Sequence, residues 1–134
     1  MTTPEHISKD IRILVVDDHE ITCVLVKSIL KAHGFVNVFT AGSGHEARSQ
    51  IDRLGIQLVI CDRNMPNGSG LELLCDVRAD AKLKDLPFLM LTAEAYMEIM
   101  KEALKAGVTD YIVKPFTAEV LLTKLAEAWQ KKLT

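Results

Sequence analysis

No apolar run in this sequence approaches the roughly 20 residues needed to cross a bilayer, so no transmembrane helix is expected. The opening Met1-Thr2-Thr3-Pro4-Glu5 lacks the charged-then-apolar pattern of a secretory signal, and the expected compartment is the cytoplasm. A broad basic field is also missing. With 16 Lys and Arg against 18 Asp and Glu, the net charge of -2 argues against sequence-independent nucleic-acid binding. Cys23, Cys61 and Cys75 are odd in number, widely spaced and set in apolar surroundings, so they read as buried small hydrophobes and exclude a disulfide frame. His6, His19, His33 and His45 have no metal-ligand spacing and read as exposed. Gly42-Ser43-Gly44 belongs to neither a P-loop nor a dinucleotide fingerprint.

What is present is a chain of 134 residues with 49% apolar content, enough for one compact domain with a real core. Residues 1–10 are polar and carry Pro4, which predicts a frayed lead-in; residues 11–134 form the domain, in which strand and helix patterns alternate five times without linker or repeat. The first helix is predicted from Glu20 to His33, with Ile21, Val24, Leu25, Ser28 and Ile29 on one face and Gly34 as its stop; strand two follows at Val36–Thr40. Ser43-Gly-His-Glu46 and Ser69-Gly-Leu-Glu72 have capping-box spacing and place the starts of helices two and three. Helix four falls within Tyr96–Ala106, and helix five starts near Thr117 and carries Val120, Leu121, Leu125 and Trp129. Such alternation demands right-handed crossovers with helices on both faces of a parallel sheet. The fold class is therefore doubly wound α/β, a five-stranded parallel sheet with five helices, for which the flavodoxin-like order 2-1-3-4-5 is adopted.

Four apolar runs end in polar residues of particular kinds. Ile13–Val16 leads into Asp17-Asp18, Leu58–Cys61 into Asp62, Phe88–Leu91 into Thr92, and Tyr111–Val113 into Lys114. The carboxyl ends of parallel strands line one edge of a sheet, which gathers these distant residues into one crevice. Taken singly each has a plain structural explanation: an aspartate N-cap, a threonine cap, a solvated strand-end lysine. Together they form a chemical site. Three carboxylates within a few ångströms repel one another by several kcal/mol at an effective dielectric near 20, an arrangement that a cation relieves. Magnesium, which prefers hard oxygen ligands and is commonly shared with a phosphate, is the expected ion, with Asp17 and Asp18 as ligands. Asp62 precedes the turn-rich Arg63-Asn64-Met65-Pro66-Asn67-Gly68 and would present its carboxylate as a nucleophile toward phosphorus, with Lys114 and Thr92 compensating charge on the transferred group.

These residues resemble the pattern of response regulator receiver domains of two-component systems: an acidic pair after strand one, a phosphoacceptor aspartate after strand three, Ser/Thr after strand four and Lys-Pro after strand five, here Lys114-Pro115. The resemblance runs from about Ile11 to Leu133. It implies that Asp62 receives a phosphoryl group from a phosphohistidine on a sensor histidine kinase. It further implies that Asp18 ligates Mg2+ directly with Asp17 assisting, that the Asn64 backbone carbonyl completes the metal site, and that a cis Lys114-Pro115 peptide aims the lysine inward. Tyr111 would be the aromatic switch coupled to Thr92, Asn64 and Glu94 would tune the lifetime of the phosphoryl group, and a protein target would read the surface of helix four, strand five and helix five.

Asn64-Met65-Pro66-Asn67, Gly70–Leu74, Arg78-Ala79-Asp80, Thr92–Ala95 and Val113–Thr117 are similar to the single-domain chemotaxis members, which suggests a flagellar motor switch as target and a phosphatase as a further partner. Arg63, His19 and Gly68-Ser69-Gly70 depart from that pattern. A phosphorelay or scaffold receiver is the alternative within the class. A magnesium-dependent phosphatase with an aspartyl nucleophile, resembling the haloacid dehalogenases, would require Asp-x-Asp after strand one, and a flavin-binding protein would require a Ser/Thr/Gly-rich loop there. Neither fits Asp17-Asp18-His19-Glu20.

Overall fold

The structure is a computed structural model that describes residues 7–65, 69–94 and 96–133. Residues 1–6, 66–68, 95 and 134 lie outside the described residues, as do the expectations that fall on them.

The elements follow in the order β1 (Arg12–Val16), α1 (Glu20–Ala32), β2 (Asn37–Ala41), α2 (Gly44–Leu54), β3 (Leu58–Asp62), α3 (Gly70–Ala79), β4 (Phe88–Thr92), α4 (Met97–Lys105), β5 (Asp110–Val113) and α5 (Ala118–Leu133). All strands pair in parallel, in the order β2-β1-β3-β4-β5. The apolar runs are continuous because each central strand is covered on both faces. Successive side chains point to opposite sides. Ile13, Val15, Leu58, Ile60, Leu89 and Leu91 join one core with residues of α1 and α5. Leu14, Val16, Val59, Cys61, Phe88 and Met90 join the other, with residues of α2, α3 and α4.

Local signals set the helix ends. Ser43 and Ser69 accept from the backbone N–H of Glu46 and Glu72, each at 3.1 Å, as capping requires. The α2 helix stops at Gly55, which takes a left-handed φ of 63° at the edge where strands begin, with open space around its Cα.

Three expectations are corrected. Residues 7–10 are not frayed: Ile7 is buried in the core, Lys9 lies over the Phe35 ring at 4.4 Å, and the Asp10 carbonyl accepts from Asn37 Nδ2 at 2.8 Å. The buried face of α1 consists of Cys23, Val26 and Leu30, whereas Ile21, Val24 and Leu25 are 84%, 57% and 50% exposed. Two apolar stripes wind around that helix, and the entry turn selects between them. Asp17 Oδ1 accepts the His19 N–H at 2.9 Å and Cys23 Sγ donates to the Asp17 carbonyl at 3.5 Å, which turns Cys23 inward. On α5, Val120 faces solvent while Leu122, Ala126 and Ala128 join Leu121 and Leu125 inside. Finally, Cys75 is exposed, unlike Cys23 and Cys61.

Candidate functional site

The parallel register creates the crevice. Val16 pairs with Cys61, so Asp17 and Asp62 emerge side by side from β1 and β3; Thr92 pairs with Val113, so Lys114 emerges next to β4. Lys114 Nζ donates to Asp62 Oδ1 at 2.7 Å and to Asp17 Oδ2 at 3.3 Å, joining residues 52 and 97 positions away. Among the described residues, Asp17, Asp62 and Thr92 stand out as the buried polar side chains of a largely apolar interior.

A buried carboxylate loses hydration, and ionisation becomes less favourable. Burial accordingly pushes the Asp62 pKa above its ordinary 3.8; the Lys114 hydrogen bond pulls it back in part, and Asp17 and Asp18 push it up again. For Lys114, burial opposes the charge, but the hydrogen bond and attraction of Asp62, reinforced by Asp17, lift its pKa above 10.5. The ammonium is thus firmly charged at neutral pH. One cation facing two carboxylates leaves the cluster anionic.

The structure brings Asp17, Asp18, Asp62 and Lys114 to one mouth. The Asp18 side chain is partly open, and one donor atom each from Asp17, Asp18 and His19 lie within 4.8 Å of one another. His19, expected to be exposed but to lie near the site, is exposed, and its Nδ1 sits 3.2 Å from Asp17 Oδ1 and 3.4 Å from Asp18 Oδ1. Adjacency to the acidic pair was the available signal. Asn64 is exposed at the rim.

Thr92 is buried with its hydroxyl engaged by the following loop: Oγ1 donates to the Glu94 carbonyl at 3.1 Å and accepts the Glu94 N–H at 3.0 Å. Tyr111 is half-buried against the α2-α3-α4 core, with Lys124 Nζ 5.9 Å from its ring centre. The Lys114–Pro115 peptide is cis. Invisible in the sequence were the contacts of two arginines: Arg63 pairs with Glu102 of α4 at 3.0 Å, and Arg78 donates to the carbonyls of Leu86 and Gly107, each at 2.7 Å. The cleft lined by Arg78, Lys84 and Lys131, about 640 Å³, lies at the far edge of the sheet from the acidic crevice.

A doubly wound sheet with buried aspartates and a lysine at its carboxyl edge defines a receiver-type signalling domain, and the relatives agree. Residues 13–126 match the response regulator receiver domain family, to which the chain belongs. It is similar to the chemotaxis protein CheY-3 of Vibrio cholerae, 42% identical over 125 residues covering 93% of this chain and 96% of the relative. The chemotaxis protein CheY of Pseudomonas aeruginosa is 41% identical over 120 residues, 90% of this chain and 97% of that one. The crystallised chemotaxis response regulator CheY4 of Vibrio cholerae superposes with a TM-score of 0.83 at 34% identity, covering 89% of this chain and 98% of its own. Among the described residues no helix is long and apolar enough to cross a membrane.

Proposed function

We propose that this chain is a phosphorylation-dependent binding switch in chemotaxis signalling, with Asp62 as its phosphoacceptor. The observation that carries the reading is the Lys114 ammonium held between the buried carboxylates of Asp17 and Asp62. An Asp62 oxygen attacks the phosphorus of a phosphohistidine on a sensor histidine kinase; the new P–O bond forms as the P–N bond breaks, and the departing imidazole nitrogen keeps the electron pair and takes up a proton. Asp62 is suited to this because burial strips it of much of its water while the Lys114 ammonium at 2.7 Å favours its carboxylate form.

The donor set fits a hard divalent cation: Asp17, Asp18, Asp62 and the Asn64 backbone carbonyl would hold Mg2+, and their residual negative charge after Lys114 is what such an ion relieves. When bound, Mg2+ would neutralise the oxygens of the transferred group. Lys114 would follow the new charge and exchange its Asp62 oxygen for a phosphoryl oxygen. Thr92 would leave Glu94 to donate its hydroxyl to the same group, and Tyr111 would turn inward into the space so vacated. Asn64 and Glu94, at the mouth, would tune how long the acyl phosphate survives.

The surface of α4, β5 and α5 fits a protein target, because it exposes Met97, Leu104, Val113 and Val120 at 68%, 56%, 37% and 43%. The flagellar motor switch is the target this reading favours, and a phosphatase would end the signal. The chain acts as a cytoplasmic signalling domain and catalyses only its own phosphorylation and dephosphorylation. Incubation with acetyl phosphate, with and without Mg2+, tests this by intact mass: a phosphoryl adduct that needs the ion and is absent from Asp62→Asn supports it. Equal labelling of the variant refutes it.

A further inference from the structure

Arg63 leaves β3 directly after Asp62, and its side chain is 17% exposed. Its Nη2 donates to Glu102 Oε1 on α4 at 3.0 Å, its Nη1 to the side-chain oxygen of Asn64 at 3.4 Å, and its Nε is buried with no partner among the described residues. An unpaired buried donor is unfavourable, so this placement needs a compensating reason. The guanidinium is a rigid planar fork, and whatever displaces one tine displaces the other. One tine rests on α4; the other holds the residue two places past the phosphoacceptor.

We propose that Arg63 is a positioning residue which couples α4 to Asn64, so that the lifetime of a phosphoryl group on Asp62 depends on where α4 holds Glu102. The inference rests on Asp62 being the phosphoacceptor. Hydrolysis brings a water oxygen to phosphorus as the P–O bond to Asp62 breaks; Asp62 leaves as a carboxylate, and the water's proton passes to phosphate or solvent. That water needs a hydrogen-bond acceptor to orient it. The Asn64 side-chain oxygen, exposed at the mouth, is such an acceptor, but Arg63 occupies it. When Glu102 releases Arg63, Asn64 is freed to align the water and the acyl phosphate decays faster. A partner seated on α4 that holds Glu102 in place prolongs the signal, whereas one that captures the Glu102 carboxylate shortens it.

The test labels the native chain, Glu102→Ala, Arg63→Met, Arg63→Lys and the Glu102→Ala/Arg63→Met double variant with acetyl phosphate and Mg2+, removes the donor, and follows loss of the adduct by intact mass. Each methionine or alanine variant is expected to decay about two- to fivefold faster, the range of a single exposed ion pair, and the double variant no faster than either one. Arg63→Lys recovers part of the native lifetime. Native decay in Glu102→Ala, whose site lies on an exposed helix face and leaves the fold intact, overturns the coupling, as do single effects that multiply in the double variant. Failure of any chain to label at Asp62 removes the functional reading and the coupling together; labelling with unaltered decay removes the coupling alone.

Discussion

Lys114 and Asp62, separated by 52 residues in sequence, meet at 2.7 Å where β5 and β3 end, and this contact holds the acidic crevice together. Lys114→Met would leave two buried carboxylates facing each other without a countercharge. Acyl-phosphate formation should then fall on the order of 100-fold, the scale of losing one preorganised charge donor. The Asp62 pKa should also rise further, because Lys114 is what restrains it. Labelling rates and an NMR carboxyl titration check the two effects separately.

Asp62 also governs stability through pH. Its pKa is raised by burial above the ordinary 3.8, so the fold favours the protonated form. That contribution is fully present below the unfolded value and is lost as pH rises through the folded value. In metal-free buffer at pH 7, Asp62→Asn should therefore melt at a higher temperature than the native chain. The gain should shrink as the solution is acidified through the folded pKa. Melting curves across that range decide it, and an Asn variant that is less stable at pH 7 contradicts the assignment.

On α1 the two apolar stripes make opposite predictions. Leu30 is fully buried, so Leu30→Ala should cost about 2–5 kcal/mol. Ile21 is 84% exposed, and Ile21→Ala should stay within about 0.5 kcal/mol of native. Denaturant titration of both variants distinguishes the stripe that holds the helix from the one that faces water.

Gly70 opens α3 directly beneath the end of β3. A Cβ there would collide with the Asp62 carbonyl oxygen and press on the Arg63 backbone. Gly70→Ala should cost about 1–3 kcal/mol by forcing backbone apart. It should also slow labelling at Asp62, since the displaced strand end carries that carboxylate. Thermal melting and adduct formation, measured on the same sample, read both consequences.

The sheet was legible in the sequence because continuous apolar runs require cover on both faces, and the capping serines announced α2 and α3. The positions of Asp17, Asp62, Thr92 and Lys114 were legible for the same reason: each directly follows such a run, and parallel strands place those endings together. The docking face of α1 was not, because Ile21-Val24-Leu25 and Cys23-Val26-Leu30 both repeat with helical period and only the Asp17–His19 entry turn chooses. Ile7 was missed because one apolar residue in a polar segment carries no periodicity. The Arg63–Glu102 pair spans 39 residues between a loop and an exposed helix face, where composition places no constraint.

The left-handed bend at Gly55 stands on the rim opposite the acidic crevice, in open space. Severing the backbone there would send Asp17 and Asp18 into one fragment and Asp62, Thr92 and Lys114 into the other, with every strand uncut. On the function proposed above, neither piece alone would hold the divalent ion or take up a phosphoryl group. Regained labelling would then serve as a complementation signal, reporting when two proteins fused to the halves come together.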